Sequence, residues 1–184
     1  RSADPSVRQA LGESVRRVAS IAMVHETLST SPDDRVDLDQ IVDRLVPMIS
    51  DVAAAETSAR VRRVGSFGIL GAELATPLVM VLAEVVQNAL QHAFEAPADG
   101  PVGDEQAQVR ITVDRSAKQL DIVVSDNGVG LPAGFAVEQA SGLGLQIVRT
   151  LVEAELLGTI EMGDRTPEPG TFVRMSVPLR GRTK

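Results

Sequence analysis

Three polar residues are spaced along one face of an otherwise apolar segment. Glu84, Asn88 and His92 follow one another at intervals of four within the Val- and Leu-rich run from Thr76 to Phe94. Residues four apart share a face of a helix, and polar groups on a buried face are costly without partners. An Asn carbonyl oxygen is a good ligand for Mg²⁺, which also binds phosphate oxygens, and Glu84 can orient or deprotonate a water molecule. The alternative interpretation is a solvent-facing polar stripe on an amphipathic helix.

A carboxylate and two glycines follow an apolar strand further along the chain. Residues 126–130 read Asp-Asn-Gly-Val-Gly. A buried, ionised Asp126 can accept a hydrogen bond from an exocyclic amine such as that of adenine, while Gly128 and Gly130 permit positive φ and close backbone approach. The hydroxyl of Thr171, at the start of the last strand, is expected to reach the same cleft. The alternatives are an ordinary Asp-Asn-Gly turn and an ordinary strand Thr.

A glycine-rich segment opens a later helix. Gly142, Leu143, Gly144 and Leu145 precede an amphipathic pattern. Free N–H groups and the helix dipole make such an N-terminus a site for anions. The segment lacks the Gly-Lys-Ser/Thr of a Walker loop and does not follow a first strand as a Rossmann fingerprint does. A flexible hinge is the alternative.

The elements that must position these motifs follow from apolar periodicity. Thr76 is expected to be the N-cap of the long helix, with Pro77 as its first helical residue. Strands cluster as hairpins rather than alternating with helices, which predicts an α+β protein, a two-layer α/β sandwich with a mixed sheet. Helices are predicted over about 6–28, 37–55, 76–94 and 142–155, and strands over 60–64, 109–113, 120–124, 158–162 and 171–178.

Composition narrows the function classes. The net charge of −7 provides no general basic surface for nucleic acid or anionic lipid, and aromatic residues amount to only 2%. The chain has no Cys, which excludes disulfides and thiolate chemistry. No apolar run approaches the roughly 20 residues of a membrane span. We expect a cytoplasmic protein fragment that binds neither nucleic acid nor membrane.

In this order and spacing, the three motifs resemble the ATP-binding domain shared by sensor histidine kinases, gyrase-type ATPases, Hsp90 and MutL. The stripe 84–92 is similar to the N box of that family, 126–130 to its G1 box and 142–145 to its G2 box. The resemblance covers about 35–180 and implies a Bergerat (GHKL) fold with ATP and Mg²⁺ as ligands. The loop 131–141 then corresponds to the lid, although no F box is evident.

The resemblance also implies a role for each site residue. Asn88 would bind Mg²⁺, and Glu84 would act as a base or position metal-bound water. Asp126 would bind the adenine amine in a pocket shaped by nearby groups. The resemblance also implies further ATP-binding residues. They are Gly128 and Gly130 at the adenine, Gly142, Leu143, Gly144 and Leu145 under the phosphates, His92 near the phosphates, and Thr171.

The N-terminal segment resembles part of a dimerisation and phosphotransfer region. Residues 16–29 are similar to the second helix of that region in the HisKA_2 class of sensor kinases. This implies a truncated helical part at 1–30 and a catalytic domain at 31–184. No segment resembles the acceptor helix of the class, so no phosphoacceptor is expected in this chain. His25 beside Glu26 is the alternative acceptor, but the usual acceptor box has Pro five residues after the His, whereas the first Pro after His25 is Pro32.

The implied function is the catalytic part of a cytoplasmic two-component sensor histidine kinase. It would transfer the γ-phosphoryl of ATP to a histidine and thence to an Asp of a cognate response regulator, within a homodimer formed through the helical region. Two alternatives on the same fold are a serine kinase of the anti-sigma-factor type and a non-catalytic nucleotide- or partner-binding module. Because helix 6–28 would expose apolar residues when alone, self-association or a domain swap is expected.

Overall fold

The computed structural model of the chain describes residues 35–53, 57–94, 107–132, 135 and 143–179. The predicted helix 6–28, His25, Gly142 and most of the loop 131–141 therefore lie outside the described residues. The elements are β1 (Arg35–Asp37), α1 (Leu38–Ala53), β2 (Arg60–Val64), β3 (Ile69–Gly71), α2 (Ala72–His92), β4 (Gln108–Arg115), β5 (Gln119–Asp126), α3 (Leu143–Thr150), a π-helical continuation (Leu151–Glu155), β6 (Thr159–Asp164) and β7 (Thr171–Pro178).

The main sheet is mixed. Its five strands lie in the order β2-β4-β5-β7-β6, with β2 and β4 parallel and the other neighbours antiparallel. Residues on β4 alternate, so that Val109 and Ile111 are buried while Arg110 and Thr112 are exposed. The buried side of the sheet faces α2, which packs against β4 and β5 and is flanked by α1 and α3. The predicted α+β sandwich with a mixed sheet is confirmed.

Helix α2 forms the centre of the core. Ten of its residues are buried, and they occupy most of its circumference, as its Val and Leu content predicts. The expectation that no apolar run approaches the length of a membrane span is wrong for α2, which, alone among the helices of the described ranges, is long and apolar enough to cross a membrane. Half of its most apolar 18-residue stretch is buried inside the protein, against the sheet and the other helices.

The predicted start of α2 is wrong. The helix begins at Ala72, after Gly71 in extended conformation, and Pro77 lies inside it. The Thr76 hydroxyl donates backward to the carbonyl of Ala72 at 2.9 Å instead of capping the helix. The cause is tertiary, because β3 pairs with β1 up to Gly71 and thus fixes the chain where the helix starts.

The remaining boundaries differ by a few residues, with one consequence for the site. Asp37 caps α1 by accepting the amide of Asp39 at 3.1 Å. The small β1–β3 sheet was not predicted. Strands β4 and β5 are longer than predicted, and β5 continues to Asp126, which pairs with Val109. Asp126 is therefore both the last residue of a central strand and the first residue of the glycine turn 126–130.

Candidate functional site

The carboxyl group of Asp126 is buried, with the residue only 5% exposed. Its Oδ1 accepts the amide of Gly128 at 2.9 Å and the amide of Thr171 at 3.1 Å. Within the described part of the chain neither bond uses Oδ2, which leaves that oxygen as an acceptor. Because one oxygen is held by two amides, the orientation of the other is fixed as well.

The pKa of Asp126 is raised. Burial is the main cause, and the neighbouring Asp164 carboxylate adds to it, whereas the amides of Gly128 and Thr171 and the charge of Arg165 oppose it. Burial disfavours the charged form of an acid. A carboxylate in this position gains by meeting a hydrogen-bond donor, which is the chemistry expected for recognition of an amine.

The glycines after Asp126 show the close backbone approach and the positive φ that were predicted for them. Gly128 lies against the end of α2, where an added Cβ would come within 2.0 Å of the Ala93 carbonyl oxygen. The same carbonyl accepts the amide of Val129 at 2.9 Å. Gly130 has φ +80°, a conformation that favours glycine. The structure thus brings the C-terminal end of α2 and the turn 126–130 together.

The polar stripe on α2 is neither buried nor fully open. Glu84 and Asn88 are half-buried, and His92 is exposed in the last turn, directly before the Ala93 that contacts the turn. The stripe thus runs toward the end of α2 that the glycine turn contacts. The acidic and histidine residues of the described ranges form no group of three or more that could hold a metal ion.

The glycine-rich start of α3 is described only in part. Leu143 is the first residue of the helix, and Gly144 and Leu145 are half-buried. Helix α3 packs against α2, so the two motif-bearing helices are neighbours. Gly142 lies outside the described residues.

Thr171 is brought to Asp126 by a group that the sequence did not single out. Its backbone amide, not its hydroxyl, donates to the carboxylate. Gly170, with φ +110°, permits this approach, since an added Cβ would lie 2.0 Å from the Asp126 carbonyl oxygen. Sequence reasoning missed Gly170, Ala93 and the pair Asp164 and Arg165. For Gly170 the available sequence signal was the Gly-Thr pair at the start of a strand. Ala93, Asp164 and Arg165 had no such signal.

Comparison with known proteins agrees with this geometry. Residues 73–181 match the family described as histidine kinase-, DNA gyrase B-, and HSP90-like ATPases. The chain belongs to this ATPase family. Residues 1–53 match the HisKA_2 histidine kinase family. The chain therefore carries the ATP-binding domain of a sensor histidine kinase, with the HisKA_2 match preceding it.

Several relatives resemble the chain over nearly its whole length. Sensor histidine kinase PdtaS of Mycolicibacterium smegmatis is 51% identical over 184 residues, which are 100% of this chain and 36% of that protein. PdtaS of Mycobacterium tuberculosis is 49% identical, with 99% and 35% covered. The chain thus spans about a third of the length of these relatives. The structure of a blue-light-activated histidine kinase from Erythrobacter litoralis is 25% identical with a TM-score of 0.72, covering 90% of this chain and 53% of that one.

Proposed function

We propose that this chain is the catalytic part of a cytoplasmic two-component sensor histidine kinase. In this function the γ-phosphoryl group passes from ATP to an imidazole nitrogen of a histidine, leaving ADP, and then to an Asp of a cognate response regulator. The observation that carries the proposal is the buried Asp126, whose Oδ1 accepts two amides while Oδ2 accepts no hydrogen bond from the part of the chain that the structure describes. The match of residues 1–53 to a histidine kinase family disfavours the serine kinase alternative.

The residues at the cleft fit ATP. Asp126 would accept the adenine amine through Oδ2, and the position of Gly128 against Ala93 would leave the turn thin enough for a base to approach. The phosphates would lie at the start of α3, over Gly142, Leu143, Gly144 and Leu145, where backbone amides favour anions. His92, at the exposed end of the stripe, would lie near them.

The side-chain oxygens of Asn88 and Glu84 on α2 also fit Mg²⁺. With no acidic cluster among the described residues, a metal would be held by few protein ligands. Mg²⁺ is commonly bound in this way, through one or two side chains together with substrate phosphates and water. Asn88 would be that ligand, and Glu84, one turn earlier on the half-buried stripe, would orient a water or accept a proton. When bound, the metal would neutralise charge on the transferred group.

The proposed organisation places a truncated helical part at 1–30 and the catalytic domain at 31–184. A homodimer would form through the helical part, and the phosphoacceptor would lie in the longer protein. His25 is not proposed as the acceptor, because Thr30 and not Pro lies five residues after it.

Calorimetric titration with Mg-ATP tests the nucleotide site. We expect saturable binding, and a loss of affinity of roughly 10- to 150-fold in Asp126→Asn, since a hydrogen bond to a charged group contributes about 1.5–3 kcal/mol. Asp121→Asn is the matched control, because Asp121 lies on the same strand but on the opposite face, where Ser176 and Gln119 donate to it. Absence of binding by the unaltered chain would overturn the proposal.

Phosphotransfer is tested on the longer protein that includes the preceding residues. Labelling with γ-phosphate-labelled ATP should yield a phosphoprotein that is labile in acid and stable in alkali, as expected for phosphohistidine. An acid-stable label on Ser would instead support the serine kinase alternative. Nucleotide binding without any labelling would support the non-catalytic module.

A further inference from the structure

The β6–β7 hairpin holds the first residue of the glycine turn through Arg165. The Nη1 group of Arg165 donates to the Asp126 carbonyl oxygen at 2.9 Å and, more weakly, to the Pro169 carbonyl at 3.5 Å. Nη2 forms an ion pair with Glu168, and the Arg165 amide donates to the Gly170 carbonyl at 2.8 Å. The guanidinium is thus anchored inside its own hairpin while one of its N–H groups reaches the backbone of the turn.

The neighbouring residue holds the other end of the turn. Asp164 Oδ1 accepts the amide of Leu131 at 2.7 Å. Gly130 lies beside it with φ +80°, and a Cβ there would be 2.9 Å from the same oxygen. Leu131 directly follows the glycine turn 126–130.

Two adjacent side chains therefore contact both ends of one short turn, and Thr171 of the same hairpin contacts the Asp126 carboxylate directly. A binding group holds its geometry when the groups behind it are themselves fixed. We infer that Asp164 and Arg165 are positioning residues that clamp the glycine turn between Asp126 and Leu131 and so fix the direction of the Asp126 carboxylate. This inference rests on the proposed nucleotide site, which it extends to a second layer of residues.

The two residues carry opposite charges, and this makes their role distinguishable from general stabilisation. They are the charged side chains, among the described residues, whose charge acts on the Asp126 carboxyl. The positive charge of Arg165 lowers the pKa of Asp126, and the negative charge of Asp164 raises it. The other groups that act on it are the amides of Gly128 and Thr171, which have no charge to remove.

Four variants separate positioning from charge. Asp164→Ala removes the acceptor for the Leu131 amide, whereas Asp164→Asn keeps an acceptor oxygen and removes only the charge. Arg165→Met removes both the donors and the charge at similar length. Glu161→Ala is the control, since Glu161 lies on the same strand and forms an exposed ion pair with Arg174.

Calorimetric binding of Mg-ATP near neutral pH is the first measurement. Asp164→Ala and Arg165→Met should each weaken binding roughly tenfold, a factor that corresponds to the loss of one hydrogen bond. Asp164→Asn should stay within about threefold of the unaltered protein, because the acceptor is rescued. Glu161→Ala should bind unchanged.

Carbon NMR of the Asp126 carboxyl in the nucleotide-free protein is the second measurement. Its titration midpoint should move up in pH in Arg165→Met and down in Asp164→Asn, with no movement in Glu161→Ala. If the unaltered protein binds Mg-ATP and all four variants bind it as tightly, the positioning role is refuted. If the unaltered protein binds no nucleotide, the proposed function fails. In that case the NMR titration still tests the clamp, because an Asp126 midpoint that is the same in every variant and in the unaltered protein would refute it.

Discussion

Replacing Gly128 with Ala should push apart the glycine turn and the C-terminal end of α2. An ideal Cβ on Gly128 would lie 2.0 Å from the Ala93 carbonyl oxygen and 2.6 Å from the Ala93 Cβ. Cβ atoms essentially never come closer than 3.0 Å to such neighbours, so the turn and the end of α2 must separate by about 1 Å. The Ala93 carbonyl also accepts the Val129 amide at 2.9 Å, and that bond would be lost or lengthened.

The cost follows from these two effects. Overpacking of a close contact costs about 1–3 kcal/mol, and a lost hydrogen bond adds about 0.5–1.5 kcal/mol. The lower entropy of an unfolded chain with Ala in place of Gly offsets about 0.4–1 kcal/mol. The net loss of unfolding free energy is about 0.5–4 kcal/mol, and its middle value of about 2 kcal/mol corresponds to a fall in Tm of roughly 4–8 °C for a protein of this size.

Thermal unfolding of Gly128→Ala should be compared with that of Gly163→Ala. A Cβ on Gly163 would meet the ring of Phe172 at 3.0 and 3.1 Å, and this half-buried side chain can shift. We expect the Gly163 variant to lose less than about 1 kcal/mol and to bind Mg-ATP normally, whereas the Gly128 variant should bind it more weakly. Equal Tm values for the two variants would show that the approach of the turn to α2 does not restrict this position.

Three further substitutions test electrostatics and backbone conformation by denaturant unfolding across a pH series. Because burial raises the folded-state pKa of Asp126, its ionised form destabilises the fold. Asp126→Asn should therefore be more stable than the unaltered protein near neutral pH. This gain in stability should vanish on acidification, when Asp126 is protonated in both states. Burial also acts to raise the pKa of Asp39, but hydrogen bonds from Ser66, Phe67 and Gly68 lower it overall. Asp39→Asn should therefore lose about 1.5–3 kcal/mol of unfolding free energy near neutral pH. The loss should become smaller as pH falls through the folded-state pKa of Asp39. Leu157 has φ +52° and is 65% exposed, so Leu157→Gly should stabilise by about 1 kcal/mol, and a loss of stability would contradict this strain argument.

Local sequence patterns determined the elements and the motif-bearing residues. The apolar run around Glu84 and Asn88 is long enough to specify a buried helix, and the two-residue alternation of β4 specifies a sheet with one covered face. A carboxylate followed by Gly-x-Gly marks a tight turn wherever it occurs. These features depend on neighbours within a few residues, which is why they can be predicted from sequence.

Tertiary structure alone decided how the turn is held. The amide of Thr171 reaches Asp126 across 45 residues, and the Asp164 contact with Leu131 crosses 33. No periodicity records such pairings, because they depend on the register between β5, β6 and β7. The same reason explains the error at Thr76, where the β1–β3 pairing overrode a local cap signal. The sequence by itself thus determined where the polar stripe and the glycine turn lie along the chain, and long-range strand register decided which atoms orient the Asp126 carboxylate.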